Sequence, residues 1–123
     1  MKVLLSIKPQ FVEKILNGTK KYEFRKTLYK RRDITTVVVY ASSPVQRIVC
    51  EFNVDGFLTE GVEELWEKTK TEAGISKEFY KSYFYGKEKA CAIQIGKLKR
   101  FKRTKTLADY NIKQAPQSWC YVD

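Results

Sequence analysis

The segment Gly18–Lys26 constrains the fold most, because the chain changes there from a helical pattern to a strand pattern. Pro9 suits the first turn of a helix, and Gly18 suits the left-handed residue that ends one. Beyond Gly18 the residues alternate, which places Tyr22 and Phe24 on one face of a strand and charged side chains on the other. The chain must therefore hold helix and sheet together in one small unit.

Similar patterns recur along the chain. Runs of β-branched or alternating apolar residues predict five further strands, at residues 2–7, 35–41, 45–57, 89–101 and 118–122. Helical spacing predicts two more helices, at residues 60–73 and 76–86, which would form an insertion in the sheet. The glycine-rich phosphate loop of a Rossmann fold is absent. This order predicts a sheet-dominated α+β domain, with a small, strongly bent sheet or barrel.

The length of 123 residues, of which 43% are hydrophobic, fits a single domain over residues 1–123 with its own core. The longest nearly apolar run, Val37–Ala41, is far too short to span a membrane. The N-terminal residues lack the apolar length of a secretory signal. We therefore expect a cytoplasmic protein without a membrane partner.

The cysteine and histidine content limits the chemistry. The three cysteines, Cys50, Cys91 and Cys120, lie far apart among apolar neighbours, a pattern that favours buried free thiols over a disulfide framework or a zinc site. The chain contains no histidine, which excludes a His-based catalytic triad. We expect neither a metal site nor a cofactor.

The positive charge is concentrated at the two ends of the sequence. Lys and Arg total 24 against 14 Asp and Glu, a net charge of +10. Residues 1–32 hold ten basic and two acidic residues, and residues 97–113 hold seven basic and one acidic residue. Residues 51–90 hold nine acidic and six basic residues. If the basic ends meet in space, their field would favour a phosphate backbone as partner.

Within this charge, Glu23 is a lone carboxylate among Lys20, Lys21, Arg25 and Lys26, a pattern that is unusual for a merely solvated face and favours a polar cleft. An arginine can hold a phosphate by two parallel N–H bonds, and a lysine adds a point charge. Glu23, on the same strand face as Arg25, can fix the guanidinium or accept a hydrogen bond from a base amino group. The alternative interpretation is a structural ion pair that pins the strand.

Aromatic residues have two expected roles. Tyr22, Tyr29 and Tyr40 would supply a stacking surface for bases if they are exposed. The stripe in the third predicted helix, which pairs residues at i,i+4, is more typical of a core; its members are Phe79, Tyr80, Tyr83 and Phe84.

The run from Gly18 to Arg25 matches G-x-K-x-x-E-x-R and resembles the signature of ASCH domains, in the PUA-like superfamily. The flanking segments 5–9, 40–44 and 115–119 also resemble that family, in the expected order. The resemblance implies an α+β, PUA-like fold: a bent mixed sheet or small β-barrel with a short N-terminal helix and a helical insertion. It also implies a cleft beside the motif and a family thought to bind RNA.

The resemblance assigns Lys20, Glu23 and Arg25 to the cleft and Gly18 to the turn before it. One enzymatic branch with a similar fold hydrolyses acetylcytidine with a lysine and a proposed threonine nucleophile. Glu23 stands where that branch has the threonine, which weighs against this activity. Other ASCH proteins are described as ribonucleases, and this chain retains the charged motif.

The main hypothesis is a domain that binds RNA, or a modified nucleoside or nucleotide, in a basic cleft. An alternative is an RNA-directed enzyme, either a ribonuclease or, with less support, an acetylcytidine-type amidohydrolase, in which Lys20 and Glu23 would be catalytic. A second alternative is a protein-interaction domain in a regulatory complex. The predicted nucleic-acid-binding residues are Lys8, Lys20, Lys21, Glu23, Arg25, Lys26, Lys99 and Arg100.

Overall fold

A computed structural model describes all of residues 1–123 and contains one six-stranded sheet. The strands are β1 (Lys2–Ile7), β2 (Tyr22–Arg25), β3 (Thr36–Ala41), β4 (Arg47–Gly61), β5 (Lys89–Lys105) and β6 (Trp119–Val122). The helices are α1 (Pro9–Leu16), α2 (Val62–Thr69) and α3 (Lys77–Tyr83), with short 3-10 helices at Lys70–Glu72 and Leu107–Tyr110. The α+β class, the short N-terminal helix and the helical insertion are thus confirmed.

The sheet has the strand order β2-β5-β4-β3-β1-β6. It is mixed, because β1 and β3 run parallel while every other neighbouring pair is antiparallel. The two edge strands, β2 and β6, do not pair with each other. Of the two forms that the sequence allowed, the protein therefore adopts the bent mixed sheet and not a closed barrel.

Side-chain hydrogen bonds nevertheless connect the two edges of the sheet. Arg25, on edge strand β2, donates from Nη2 to the carbonyl of Ser6 in β1 at 2.9 Å. Its Nη1 donates to the hydroxyl of Ser118, which directly precedes the other edge strand, at 3.0 Å. The sheet is curved enough for one arginine to span the gap between its edges, and the candidate site lies there.

Irregular pairing accompanies this curvature. The register of β4 against β5 shifts at three places, one of them between Val54 and Gly56, as expected for a bulge at that glycine. β4 continues to Gly61 because Gly61 still pairs with Lys89. For this reason α2 begins at Val62, two residues later than the helical spacing predicted.

Two apolar clusters hold β2 and its neighbours in place. Phe24 of β2 packs edge-on against Tyr80 and Phe84 of the helical insertion, with ring centroids 5.2 and 6.3 Å apart. The larger cluster lies under β1, β3 and α1 and includes Ile93 and Ile95 of β5. Since β2 pairs with β5, its backbone is fixed between the two clusters.

The cysteines are free thiols, as expected. Cys50 and Cys91 are buried and Cys120 is half-buried. Burial raises the pKa of Cys50 to about 12, so this thiol stays protonated at neutral pH. None of the helices has the length and apolar character needed to cross a bilayer.

Candidate functional site

A cavity of about 390 Å³ opens where the two edges of the sheet approach each other. Its walls come from the end of β1, from α1, β2 and α3, and from the segments before β4 and β6. This volume falls in the range of small-ligand sites. We call the cavity the motif pocket; its lining residues are Ser6, Ile7, Lys8, Phe11, Lys20, Glu23, Phe24, Arg25, Ser42, Ile75, Phe79, Tyr83, Gln117 and Ser118.

Arg25 is held by protein acceptors on all three of its nitrogens. Nε donates to Oε2 of Glu23 at 3.1 Å, and Nη2 lies 2.9 Å from the same oxygen. Nη1 and Nη2 donate to Ser118 and Ser6. In this arrangement the guanidinium orients Glu23 and joins the sheet edges, so the predicted two-bond grip on a phosphate would require these bonds to open.

Glu23 lies on the floor of the motif pocket with only 6% of its surface exposed. Arg25 occupies its Oε2, while its Oε1 accepts no hydrogen bond from the protein. Every buried polar side-chain atom of the chain has a partner, so Oε1 is among the atoms that solvent reaches. The pocket therefore offers a ligand one oriented carboxylate oxygen.

Lys20 is more buried than either of its motif partners, with 1% of its surface exposed. Its ammonium donates to the carbonyl of Ala73 at 2.8 Å and lies 5.4 and 5.0 Å from the ring centroids of Phe11 and Phe24. Desolvation lowers the pKa of Lys20 to about 8, against the opposing effect of the Glu23 carboxylate. This lysine can therefore exchange a proton near pH 8.

Two glycines explain why Lys20 enters the pocket. Gly18, at φ +83°, ends α1, and the N–H groups of both Thr19 and Lys20 then donate to the carbonyl of Lys14. Gly74, at φ +67°, packs on the lysine stem: a Cβ there would lie 2.4 Å from the Cβ of Lys20. Only glycine leaves room for this packing of the insertion against the motif.

Aromatic residues of two helices form one wall of the pocket. Phe11 of α1 meets Phe79 of α3 edge-on, with ring centroids 5.0 Å apart, and Tyr83 lies one turn further along α3. Burial raises the pKa of Tyr83. The helical stripe thus has two faces: Tyr80 and Phe84 are 1% exposed core residues, as predicted, while Phe79 and Tyr83 line the pocket.

The tyrosines proposed as a stacking surface lie elsewhere. Tyr29 and Tyr40 are only 1% and 5% exposed. They therefore lack the exposed ring surface on which base stacking would depend. Tyr22 is half-buried and packs against the cluster of the helical insertion, on the opposite face of β2 from Glu23. The aromatic side chains that α1 and α3 contribute to the pocket are instead Phe11, Phe79 and Tyr83.

The structure brings four of the eight predicted binding residues together in the pocket: Lys8, Lys20, Glu23 and Arg25. Lys26 lies beside it, with its ammonium 4.9 Å from the ring centroid of Tyr83. Lys21 does not line the pocket, nor do Lys99 and Arg100, which are exposed on the second half of β5 opposite Glu51 and Cys50. The binding roles of all eight residues stay predictions.

Several lining residues were not among the candidates. Ser6 and Ser118 bond Arg25, and Ser42 and Gln117 lie on the rim. All four fall inside the flanking segments that resemble the family, so those segments held a usable signal. Phe79 and Tyr83 could have been found by separating the two faces of the i,i+4 stripe. No three side chains among Cys, Asp and Glu come together in a way that could hold a metal ion.

The chain matches one family model and several curated proteins. A family model described as the ASCH domain matches residues 5–99. The chain is 30% identical over 89 residues to the ASCH domain-containing ribonuclease of Zymomonas mobilis, covering 72% of the chain and 60% of that protein. It is also 30% identical over 89 residues to the large ribosomal subunit protein uL22 of Ureaplasma parvum, covering 72% of the chain and 29% of that protein. The chain thus spans less than two thirds of the length of these curated relatives.

The fold is likewise similar to solved structures. The crystal structure of ASCH from Zymomonas mobilis superposes with a TM-score of 0.89 at 26% identity, covering 99% of this chain and 87% of that one. A mutant of the same protein gives a TM-score of 0.90 at 25% identity, covering 99% and 88% of the two chains.

Proposed function

The chain belongs to the ASCH domain family, and from this premise we propose that it binds single-stranded RNA in the motif pocket. The observation that supports the proposal best is that two buried charges, Lys20 and Glu23, both line the cavity. Buried charges are costly unless they are used or fully paired, and Glu23 keeps one oxygen without a protein partner. The relative named as a ribonuclease supports an RNA-related function.

The pocket offers three kinds of contact to one nucleotide. Phe79 and Tyr83 present ring surface on which a base can stack. Oε1 of Glu23 can accept a hydrogen bond from a base amino group or a ribose hydroxyl. The ammonium groups of Lys8 and Lys20 add positive charge for the adjoining phosphate.

Arg25 has a positioning role in this proposal. It holds Oε2 of Glu23 and joins the sheet edges, and its nitrogens already have protein acceptors. The specificity of the pocket then depends on the one carboxylate oxygen that Arg25 leaves free. The motif then has both of the roles suggested for it. The ion pair of Arg25 with Glu23 is structural, and it orients the Glu23 oxygen that binds the ligand.

Titration of a fluorescent single-stranded RNA at several salt concentrations tests the proposal. We expect log affinity to fall linearly with log salt, and Glu23→Gln and Lys20→Met each to weaken binding about tenfold or more. Lys87→Met is the matched control, since Lys87 is exposed outside the pocket and loses the same charge. Affinity that is indifferent to salt, or an equal loss in all three variants, would contradict pocket binding.

A second candidate function, RNA cleavage, is favoured by the lowered pKa of Lys20. With a pKa of about 8, the lysine is protonated in roughly nine of ten molecules at pH 7, so it acts as the proton donor. Oε1 of Glu23 is the matching acceptor. Both groups face the same cavity, where a phosphodiester would lie between them.

In this mechanism Glu23 takes the proton of a ribose 2′-hydroxyl, and the 2′-oxygen attacks the adjacent phosphorus. The new 2′-O–P bond forms as the P–O5′ bond breaks, and the ammonium of Lys20 gives its proton to the leaving 5′-oxygen. The products are a 2′,3′-cyclic phosphate and a 5′-hydroxyl end. Lys8 adds positive charge near the phosphate.

Incubation of an end-labelled RNA tests cleavage, with product ends identified by mass spectrometry. We expect 2′,3′-cyclic phosphate ends, loss of product in Glu23→Gln, and protection when the 2′-hydroxyl is replaced by hydrogen. Turnover should fall as the pH rises through about 8, because Lys20 then loses its proton. Cleavage that continues with a 2′-deoxy substrate, or unchanged in Glu23→Gln, would contradict this mechanism.

A further inference from the structure

A second cavity, of about 840 Å³, lies on the other side of the turn between β3 and β4. It is a broad depression floored by the 3-10 helix Leu107–Tyr110 and the residues after it. Its lining residues are Tyr40, Gln46, Thr106, Leu107, Ala108, Asn111, Ile112 and Lys113. We call it the amide cavity, after the two amide side chains on its rim.

The amide cavity and the motif pocket share two stretches of chain. The turn after β3 places Ser42 in the motif pocket and Gln46 in the amide cavity. The segment before β6 places Asn111 in the amide cavity and Ser118 in the motif pocket. Ser42 and Gln46 belong to one tight turn, in which the N–H of Gln46 lies 3.5 Å from the carbonyl oxygen of Ser42, so the two cavities are neighbours and an extended ligand could reach both.

Gln46 and Asn111 have two features in common. Both adopt left-handed backbone conformations, at φ 55° and φ 60°, and they are the only residues other than glycine to do so. Asn111 is the cap that ends the 3-10 helix Leu107–Tyr110, and Gln46 lies in the turn before β4, so each backbone conformation is fixed by its turn. Both residues are exposed, so a ligand can reach their side-chain amides. Each amide presents a donor beside an acceptor, the pattern that matches the edge of an adenine.

The surroundings of the amide cavity suit a nucleotide. Leu107 and Ile112 give it apolar surface, and Lys113 adds positive charge on its rim. Arg47 at the start of β4 and Lys105 at the end of β5 lie close to Tyr40. Arg47 pairs with Ala41, and Lys105 pairs with Ile48, which in turn pairs with Tyr40. The nearby carboxylate of Asp109 accepts the backbone N–H of Thr106 in a helix cap and is thus already engaged.

We propose that the amide cavity is a second nucleotide subsite for the RNA strand that enters the motif pocket. The ligand of the protein is then an oligonucleotide and not a free nucleoside or mononucleotide. The inference rests on the proposed RNA binding, and it adds a length requirement and a preference for adenine at the second subsite.

The test compares adenosine monophosphate with hexa-adenylate carrying 2′-fluoro groups, which cannot attack phosphorus. The protein variants are Gln46→Gly with Asn111→Gly, which removes both amides while glycine keeps the left-handed backbone without strain. Asn53→Ala is the matched control, because Asn53 is an exposed amide of β4 opposite Thr36, outside both cavities. Glu23→Gln, measured on both ligands, monitors the motif pocket separately.

We expect wild type to bind the hexamer far more tightly than the monophosphate, and the double glycine variant to lose about tenfold on the hexamer alone. Replacing the hexa-adenylate with hexa-uridylate should give a similar loss in wild type and a smaller one in the variant. An unchanged hexamer affinity in the double variant, or an equal loss on both ligands, would overturn the second subsite while Glu23→Gln still weakens binding. If neither ligand binds, or Glu23→Gln has no effect on either, the proposed function fails as well.

Discussion

The two halves of β5 lie beside two different groups of charges: the first half pairs with the motif strand, and the second half carries its own basic residues. The first half, Cys91–Ile95, is mostly buried and pairs with β2, which carries the motif, as well as with β4. The second half, Lys97–Lys105, pairs with β4 alone and exposes most of its basic side chains. The motif charges are 1–8% exposed and have assigned partners, whereas Lys99 and Arg100 form no ion pair.

The buried motif charges and the exposed charges of β5 should therefore act in different ways. A buried charge depends on a few neighbours at fixed distances, so its loss should change both stability and the site. An exposed charge acts through the summed field, so its loss should change mainly association with a polyanion. A substitution in one group of charges therefore has its natural reference in the other group.

The largest effect is expected for Arg25→Ala. The substitution leaves Glu23 buried without its partner and removes the bonds between the sheet edges, which should lower the free energy of unfolding by about 3–5 kcal/mol. Arg100→Ala is the reference and should change it by less than about 0.5 kcal/mol. Urea denaturation followed by tryptophan fluorescence measures both. Similar small losses in the two variants would remove the distinction between buried and exposed charge.

The pH dependence of stability should differ between Lys20→Met and Lys99→Met. The native state releases the Lys20 proton near pH 8 and the unfolded state near its ordinary value of 10.5. Between these values the unfolded state binds more protons, so wild type gains stability as pH rises, by up to about 3 kcal/mol. Lys20→Met lacks this gain, while Lys99→Met should keep it. A constant difference between wild type and Lys20→Met from pH 7.5 to 10 would contradict the lowered pKa.

Gly74→Ala and Gly86→Ala separate backbone strain from contact with Lys20. Both glycines have positive φ, so each alanine should cost about 1–2 kcal/mol. Only the Gly74 variant places a Cβ against the lysine, since a Cβ at Gly86 meets nothing within 4 Å. We expect Gly74→Ala to lose more stability and also to weaken RNA binding. Equal stability losses with unchanged binding in both variants would show that Gly74 does not position Lys20.

The smallest effect is expected for single substitutions in the second half of β5. Lys99→Ala or Arg100→Ala should reduce the slope of log affinity against log salt by about 0.7 for each phosphate that the variant no longer neutralises. The affinity of the motif pocket for a mononucleotide should not change. Unaltered slopes in a combined variant would show that this half of β5 does not contact the strand.

The sequence was informative where local signals agreed. The strand alternation from Tyr22 to Arg25 and the capping glycine Gly18 predicted the motif strand, and the structure places Glu23 and Arg25 together on one face. The helix boundaries were less accurate, because the length of β4 depends on long-range pairing such as Gly61 with Lys89. No local pattern contains that information.

The candidate site was only partly predictable, because some of its contacts also depend on long-range packing. Strand alternation placed Glu23 and Arg25 on one face, and the family resemblance added Lys20. The bonds from Arg25 to Ser6 and Ser118, however, join residues far apart in sequence. They form only because the sheet curves enough to bring its edges together. The burial of Lys20 likewise depends on Gly74 and Ala73 of the helical insertion.

The amide cavity has no recognisable sequence motif. The left-handed conformations of Gln46 and Asn111 arise from their turns, which the sequence pattern did not reveal.

Determination of a crystal structure with a short 2′-fluoro RNA tests the central claim most directly. We expect a nucleotide in the motif pocket, with its base against Phe79 or Tyr83 and a polar atom within hydrogen-bond distance of Oε1 of Glu23. The second half of β5 should contact only phosphates. RNA bound solely along Lys97–Lys105, with the motif pocket empty and Glu23 bonded only to Arg25, would contradict the account.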